Sequence, residues 1–289
     1  MIPIYLLVIT LNVKNMLLSY SKLSKKPRIF RKLTGLKLKH FARILMEVSV
    51  YLDKEFSNIG RKPKINNHED RVLLVLVYYR TYMTQEFLGY LIGMDESNVC
   101  RLLKRVDLLL VKKIHIKKYR TLTGEKVEQL LIDATEQPIQ RPKKSKRRKL
   151  NYSGKKKRYT QKVEIAVSQD GRIVNISKVF PGKVHDIKIR RNSDKLPRDV
   201  DKYCDSGYQG LQTEANNMKL QHKKPKGGKL TIEQKEYNRS ISKIRVYAEH
   251  KFAQLKKFRI LGETYRSFGK KASLRFNLVA GIVNLQNGF

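Results

Sequence analysis

Apolar residues recur every three or four positions near the start of the chain, which is the spacing of an amphipathic helix. The pattern covers residues 38 to 56 and comprises Leu38, Phe41, Ile44, Leu45, Val48, Leu52 and Phe56. Glycine, proline and paired asparagines follow over Gly60–Asn67, and such residues interrupt helices. The sequence therefore predicts a helix over 38–56 and a short linker after it.

Three more helices are predicted after this linker: over 71–82, from Thr84, and from Asp95 or Glu96 towards Leu110. Thr84 and Asp95 are suitable N-caps because their side-chain oxygens can accept free backbone N–H groups of a first helical turn. Between the second and third helices, Leu91–Met94 contains a glycine and matches the tight turn of a helix-turn-helix.

The polar residues at the start of the third helix have the chemistry of a DNA recognition helix. Such side chains can reach base edges in the major groove, whereas Val99, Leu102 and Leu103 can face a core. The candidate DNA-binding residues are Ser97, Asn98, Arg101 and Lys104. An ordinary three-helix bundle would show the same apolar pattern, and for this segment it stays open as an alternative.

After Gly124 the pattern becomes typical of β-strands. Strands are predicted over 127–132, 163–167 and 173–179, with Asp170–Gly171 as a hairpin turn, and over 200–204. Helices are predicted near 186–191, from Thr231 to about Phe258, and over 273–285. Thr231 and Gln234 have the spacing of a capping box, which marks the start of the long helix.

The charge of the chain points to a polyanionic partner. Its 289 residues include 63 Lys and Arg against 25 Asp and Glu, a formal net charge of +38. The 40% apolar content is sufficient for about two domains. No segment reaches the roughly 18 to 20 apolar residues of a membrane-spanning helix, so double-stranded DNA is a better predicted partner than a membrane.

Cysteine usage and the N-terminus add two weaker indications. Cys100 and Cys204 lack the spacing of a disulfide framework or zinc site, which fits a reducing cytoplasm. The apolar leader, residues 1–15, lacks a basic flank and a cleavage site, and is a poor secretory signal. We therefore expect a cytoplasmic protein.

A basic tract, residues 141–158, interrupts the predicted strands. Eleven of its eighteen residues are basic and none is acidic. It is expected to be a solvated loop, and it could grip phosphates with an affinity that rises through counterion release. The candidate DNA-binding residues here are Arg147, Arg148, Lys155, Lys156, Lys157 and Arg158.

Three carboxylates are candidates for catalysis. Asp133 follows the apolar run Leu130–Ile132, and Asp205 follows a second strand, so both are predicted at strand ends. Glu249 lies on the long helix within about 40° of Arg245 and Lys256, next to the apolar stripe of that helix. In many proteins such aspartates are only turn residues, and Arg245, Glu249 and Lys256 could form a surface ladder.

Together, the three carboxylates suit a site for two metal ions. Mg²⁺ prefers oxygen ligands, and Mn²⁺ is the expected substitute. Two such ions about 3.5 to 4 Å apart can support in-line displacement at phosphorus. Arg245 and Lys256 would then hold the DNA strand and offset charge that develops on the phosphate.

Several motifs, in this order, resemble bacterial insertion-sequence transposases of the DDE type. They are Leu131–Glu136, Phe180–Asp186, Asp205–Gly210, the helix through Glu249 and the helix-turn-helix from about Asn66 to Leu110. The resemblance implies a mixed α/β, ribonuclease H-like catalytic domain after an all-α DNA-binding domain. It places the catalytic and metal-binding residues at Asp133, Asp205 and Glu249, and matches the helix motif at Arg245 and Lys256. Some relatives have a tyrosine where this chain has Ser242.

The resemblance also implies a bacterial, nucleoid-associated location, domain boundaries and a function. The helical domain is expected at 16–115, with its helix-turn-helix at 66–110, and the catalytic domain at 122–289. A transposase would bind the inverted repeats of its element, cut at the ends, and join the freed 3′-hydroxyls to target DNA, as a homodimer or larger assembly. The alternatives are a catalytically silent regulator, a structural protein of ribosomal type, and a nuclease of repair or recombination.

Overall fold

The computed structural model describes residues 16–57, 64–116, 127–214, 217–225, 227–267 and 271–289. Contacts divide the chain into two compact units, Met1–Ile114 with Phe258–Ile260, and His115–Lys257 with Leu261–Phe289. The apolar leader and the first half of the predicted linker, residues 60–63, lie outside the described residues. In the part that is described, no helix combines the length and apolarity needed to cross a bilayer.

The first unit is helical. Its described helices are α1 (Tyr20–Leu23), α2 (Pro27–Thr34), α3 (Leu38–Phe56), α4 (His68–Thr81), α5 (Gln85–Ile92) and α6 (Glu96–Lys113). Helix α3 has the predicted bounds, and its apolar stripe is buried at Phe41, Ile44, Val48 and Leu52. Helix α4 begins three residues before the predicted start because the Asn67 side chain accepts from the Asp70 backbone N–H at 2.6 Å.

Helices α5 and α6 form the expected helix-turn-helix pair. Thr84 caps α5 by accepting from the Phe87 N–H at 3.1 Å, as predicted. Gly93 ends α5 with a φ of 65°, a left-handed conformation that glycine adopts without a Cβ penalty. Asp95 occupies the N-cap of α6, but its side chain makes no capping hydrogen bond, so that part of the prediction is wrong.

The second unit contains a seven-stranded mixed sheet in its described residues. The strands are β1 (Gln129–Pro138), β2 (Tyr152–Ser153), β3 (Arg158–Ser168), β4 (Ile173–Ile176), β5 (Phe180–Pro181), β6 (Asp201–Cys204) and β7 (Met218–Leu220). Strand β1 is central, antiparallel to β3 and parallel to β6, and β6 is parallel to β7. This arrangement confirms the mixed α/β, ribonuclease H-like fold class.

The helices of this unit are α7 (Ser145–Asn151), α8 (Asp186–Arg191), α9 (Ile232–Lys256), α10 (Arg259–Gly262, divided between the units) and α11 (Ala272–Gln286). Thr231 and Gln234 form both hydrogen bonds of the predicted capping box at the start of α9. Gly171, with a φ of 85°, lies in the predicted hairpin turn between β3 and β4.

Three expectations for this unit are corrected. Strand β1 does not end before Asp133 but continues to Pro138, because β3 pairs with it along that whole length. Strand β4 ends at Ile176 rather than Val179, and β5 begins at Phe180. The basic tract is not simply a loop, since it contains helix α7 and the hairpin that joins β2 to β3.

Candidate active site

The sheet register brings Asp133 and Asp205 to adjacent positions. The parallel pairing of β1 with β6 ends at Ile132 and Cys204, and each aspartate is the next residue of its strand or chain. Asp133 on β1 therefore lies beside the end of β6, although β1 itself continues to Pro138. Each carboxylate accepts the N–H of its following residue, from Ala134 at 2.8 Å and from Ser206 at 2.7 Å.

Arg245 on α9 lies between the two carboxylates. Its Nη2 is 3.7 Å from Asp133 Oδ2, and its Nη1 is 3.4 Å from Asp205 Oδ1. The Nη1 also contacts Gln221 Oε1 at 3.4 Å, and Gln221 Nε2 donates to Ser242 Oγ at 2.8 Å. Ser242, where some relatives have tyrosine, thus belongs to the hydrogen-bond network that orients Arg245.

The carboxyl group of Asp133 is strongly affected by its surroundings. Burial raises its pKa to about 6, and the nearby carboxylates of Asp205 and Asp186 add to that shift. The Arg245 guanidinium and the Ala134 N–H lower the pKa and so offset part of it. The site concentrates negative charge in a partly dry environment, where a bound cation is strongly favoured.

Asp133 and Asp205 supply two of the donors that a divalent metal ion would need. Carboxylate oxygens are the ligands that Mg²⁺ and Mn²⁺ prefer, and the Arg245 guanidinium already provides positive charge between Asp133 and Asp205. Glu249 is one helical turn after Arg245 on α9, and its side chain is exposed. Within the described ranges, no three His, Cys, Asp or Glu residues form a group that could hold a metal.

Lys256, two turns further along α9 than Glu249, extends the site towards the basic tract. The pKa of the Lys256 ammonium is lowered, mainly by loss of hydration and then by the Lys156 ammonium. The carboxylates of Asp133 and Glu136 oppose part of this shift. Lys256 therefore interacts electrostatically with groups on two other elements, the Asp133 carboxylate of β1 and the Lys156 ammonium in the turn between β2 and β3. Lys256 thus adds positive charge from α9 that acts on Asp133.

Asp186 and its partners have no role in the sequence-based prediction. Asp186 begins α8, and its Oδ1 accepts from Lys162 Nζ at 3.0 Å. A Cβ on Gly207 would lie 3.0 Å from Asp186 Oδ2, so glycine allows the loop after Asp205 to approach α8 closely. The His185–Asp186 pair after Pro181–Gly182 was the available sequence signal.

Glu164 is a second residue that the sequence-based prediction missed. It lies on β3 opposite Ala134, it is 2% exposed, and it forms an ion pair with Arg190 of α8. Burial raises its pKa to about 7, and the Arg190 guanidinium and Tyr208 hydroxyl oppose that shift. This ion pair links α8 to β3 of the sheet.

The candidate DNA-binding residues lie at the surface. Ser97, Asn98, Arg101 and Lys104 are all exposed on α6, and Arg101 Nη1 donates to Asn98 Oδ1 at 2.8 Å. In the basic tract, Arg147, Lys155, Lys156, Lys157 and Arg158 are exposed, whereas Arg148 is half-buried. Cationic and polar side chains are thus available to a partner on both units.

Two known proteins that this chain resembles carry the names of insertion sequence elements. A protein described as "Probable transposase for insertion sequence element IS702", from Microchaete diplosiphon, is 34% identical over 264 residues, or 90% of this chain and 94% of its own length. A protein from Streptomyces albus G, named for insertion sequence element IS112, is 27% identical over 198 residues, or 67% of this chain and 70% of its own length.

Two family models also match. The helix-turn-helix of DDE superfamily endonuclease matches residues 64–114, and DDE superfamily endonuclease matches residues 132–284. Such enzymes bind DNA and generally depend on divalent metal ions. The second match begins at Ile132 and includes Asp133, Asp205 and α9. On its fold, its site and these matches, the chain belongs to the DDE superfamily endonucleases.

Proposed function

We propose that this protein is the transposase of an insertion sequence and that it cuts and joins DNA at the ends of its element. The observation that carries the proposal is the pair of aspartates on neighbouring parallel strands, with a guanidinium from α9 between them. The names of the two relatives, each tied to an insertion sequence element, support it. The domain division at about residues 115 to 122 belongs to the same proposal.

Helix α6 recognises the DNA sequence at the ends of the element. Asn98 and Arg101 hydrogen-bond each other and are exposed near the N-terminal end of the helix, where a recognition helix meets base edges. Ser97 and Lys104 extend the same contact, towards bases and backbone phosphates respectively. Cutting both ends of an element in a coordinated way requires at least a homodimer.

Asp133, Asp205 and Glu249 are the proposed ligands of two Mg²⁺ ions, for which Mn²⁺ would substitute. When bound, such ions activate the attacking oxygen and stabilise the leaving oxygen at phosphorus. Arg245 and Lys256 hold the scissile phosphate and offset its developing charge, and Lys156 adds a third cation. Glu249 lies between Arg245 and Lys256 along one face of α9, so it faces the DNA that they hold.

The chemistry requires no energy source beyond the phosphodiester bonds. In the first step a water oxygen bonds to phosphorus and the 3′-oxygen of the element end leaves. In the second step that 3′-hydroxyl bonds to a target phosphorus and a target 3′-oxygen leaves. One P–O bond forms and one breaks in each step, so no ATP is needed.

Asp133→Asn tests this proposal on labelled DNA that carries the inverted repeats flanking the gene. We expect Mg²⁺-dependent cutting to fall by about a thousandfold or more, with DNA affinity retained. Asp201→Asn is the matched control, because Asp201 begins β6, the strand that precedes Asp205, and its carboxylate forms an ion pair with the half-exposed Lys219 at 3.9 Å. Cutting by Asp133→Asn at the rate of the control would overturn the assignment.

A DNA-binding regulator without catalysis is the second candidate. It is favoured by the exposure of Glu249 and by the lack, among the described residues, of a group of three His, Cys, Asp or Glu residues that could hold a metal. A regulator would bind the inverted repeats specifically but would not cut them with Mg²⁺ or Mn²⁺ in any assembly state.

A further inference from the structure

A pocket opens beside the basic tract, away from the aspartate pair. Its cavity volume is 670 Å³, within the roughly 300 to 1,000 Å³ that is usual for small-ligand sites and far too small for a duplex. Ile139, Pro142 and Tyr265 supply apolar surface. Tyr265 is held there by a parallel bridge to Ile139, and its N–H donates to the Pro138 carbonyl at 2.8 Å.

Cations line the same pocket. Lys144 and Arg147 belong to it, and both side chains are exposed. Within the parts of the chain that the structure describes, neither forms an ion pair. Helix α7, which carries Arg147, contains no acidic residue, so the charge of this wall is not neutralised locally. Such a wall favours a phosphate group.

Gln161 provides an acceptor of defined orientation. Gln137 Nε2 donates to the Glu263 carbonyl at 3.1 Å, so Gln137 Oε1 is the atom that faces Gln161. The Gln161 Nε2 donates to that oxygen at 2.8 Å. The Gln161 Oε1 accepts no hydrogen bond within the described part of the chain, and is therefore left for a donor on a ligand.

We propose that this pocket binds one unpaired nucleotide of the DNA strand that enters the active site. The base lies on the apolar surface, an amino or ring N–H group of the base donates to Gln161 Oε1, and the phosphate lies at Lys144 and Arg147. The inference rests on the proposed function, because the strand is the one held at Asp133. It assigns to the pocket a nucleotide-binding role separate from metal binding.

The position of the pocket along β1 predicts which nucleotide it takes. Ile139 follows Asp133 by six residues, which in an extended strand is about 20 Å. Successive phosphates of one DNA strand are about 3.4 Å apart along a duplex axis. The bound nucleotide therefore lies within about six nucleotides of the scissile phosphate.

Binding of two DNAs by wild type and Arg147→Ala tests the pocket. One is a blunt duplex with the inverted-repeat sequence, and the other carries a six-nucleotide single-stranded tail. Lys149→Ala is the matched control, because Lys149 is exposed on α7 but does not line the pocket. We expect Arg147→Ala to weaken binding of the tailed duplex about tenfold, and to weaken binding of the blunt duplex no more than the control does.

Cross-linking gives a second readout that does not depend on affinity. With 4-thiothymidine at each tail position in turn, one position should cross-link to Tyr265 or to residues 139–147, and Arg147→Ala or Lys144→Ala should remove that product. Equal weakening of both DNAs, or cross-links only outside the pocket, would overturn the inference. Failure of the proposed function would differ, since wild type would then show no metal-dependent cutting whatever the affinity for the tail.

Discussion

Helices α4 and α9 differ in what surrounds them. In α4, every residue from Asp70 to Tyr79 is buried, so nearly all of its surface is used for packing. In α9, which is 25 residues long, only Ile241, Ala248, Phe252 and Leu255 are buried. Helix α4 stabilises its unit. Helix α9 uses little of its surface for packing, and its charged side chains include Arg245, which contacts the aspartate pair.

This difference shows how one sequence separates stability from function. A helix buried on all sides tolerates few changes, because each removed methylene leaves a cavity. A helix buried along one stripe can present Arg245, Glu249 and Lys256 from a neighbouring face at a low cost in stability. Substitutions in α4 and α9 should therefore affect different measurements.

The largest effect on stability is expected in α4. Leu76→Ala removes a fully buried side chain and should lower the free energy of unfolding of the helical unit by roughly 2 to 5 kcal/mol. Val246→Ala in α9 is the contrasting variant, because Val246 is 41% exposed, and its effect should be within about 0.5 kcal/mol. Hydrogen exchange, resolved by peptide, measures both. Similar losses for both variants would remove the contrast between the helices.

The next effect should appear in catalysis rather than stability. Arg245→Ala removes the cation between Asp133 and Asp205, and we expect cutting to fall by about 100- to 1,000-fold. Arg245→Lys keeps the positive charge but lacks the forked guanidinium that reaches both carboxylates. It should therefore retain only part of the wild-type rate. Single-turnover cleavage is the measurement. An unchanged rate in Arg245→Ala would show that α9 does not serve the reaction.

A pH-dependent effect is expected in the sheet beneath α9. The pKa of Glu164 is about 7 in the folded protein against 4.5 unfolded. The native state therefore binds more protons between these values, and this contribution to stability is lost as pH rises from about 4.5 to 7. Relative to Glu164→Gln, the wild type should lose up to roughly 3 kcal/mol across that window. Urea unfolding at several pH values measures it, and parallel profiles would contradict it.

The smallest effect concerns helix caps in the helix-turn-helix. Thr84→Ala should cost about 1 kcal/mol, because Thr84 caps α5 through the Phe87 N–H. Asp95→Ala should cost less, because the Asp95 side chain makes no capping bond in α6. Hydrogen exchange in the first turns of α5 and α6 would show the difference. A larger loss at Asp95 would reverse this ranking.

Much of this organisation follows from local patterns in the sequence. Helix α3 and the capping box of α9 were predictable because each depends on residues close together in the chain. The length of β1 was not, because its part after Asp133 is extended by pairing with β3, which is distant in sequence. Strand pairing also decides which aspartates become neighbours.

The missed residues illustrate the same limit. Glu164 interrupts an apolar strand, which is an unusual position for a charge, but only the fold reveals that Arg190 is its partner. The prediction for Glu249 was limited in a different way. Helical periodicity placed it on the same face of α9 as Arg245 and Lys256. Its distance from the aspartates depends on tertiary structure, which periodicity does not determine.

The most direct measurement is a cleavage and strand-transfer assay on labelled DNA bearing the inverted repeats, with Mg²⁺ or EDTA. Wild type and Glu249→Gln are compared, and Glu233→Gln in the exposed first turn of α9 is the matched control. We predict Mg²⁺-dependent cuts at the element ends and joined products with wild type and Glu233→Gln, and neither with Glu249→Gln. Specific binding without cutting by wild type, or full cutting by Glu249→Gln, would contradict the proposed role of the three carboxylates.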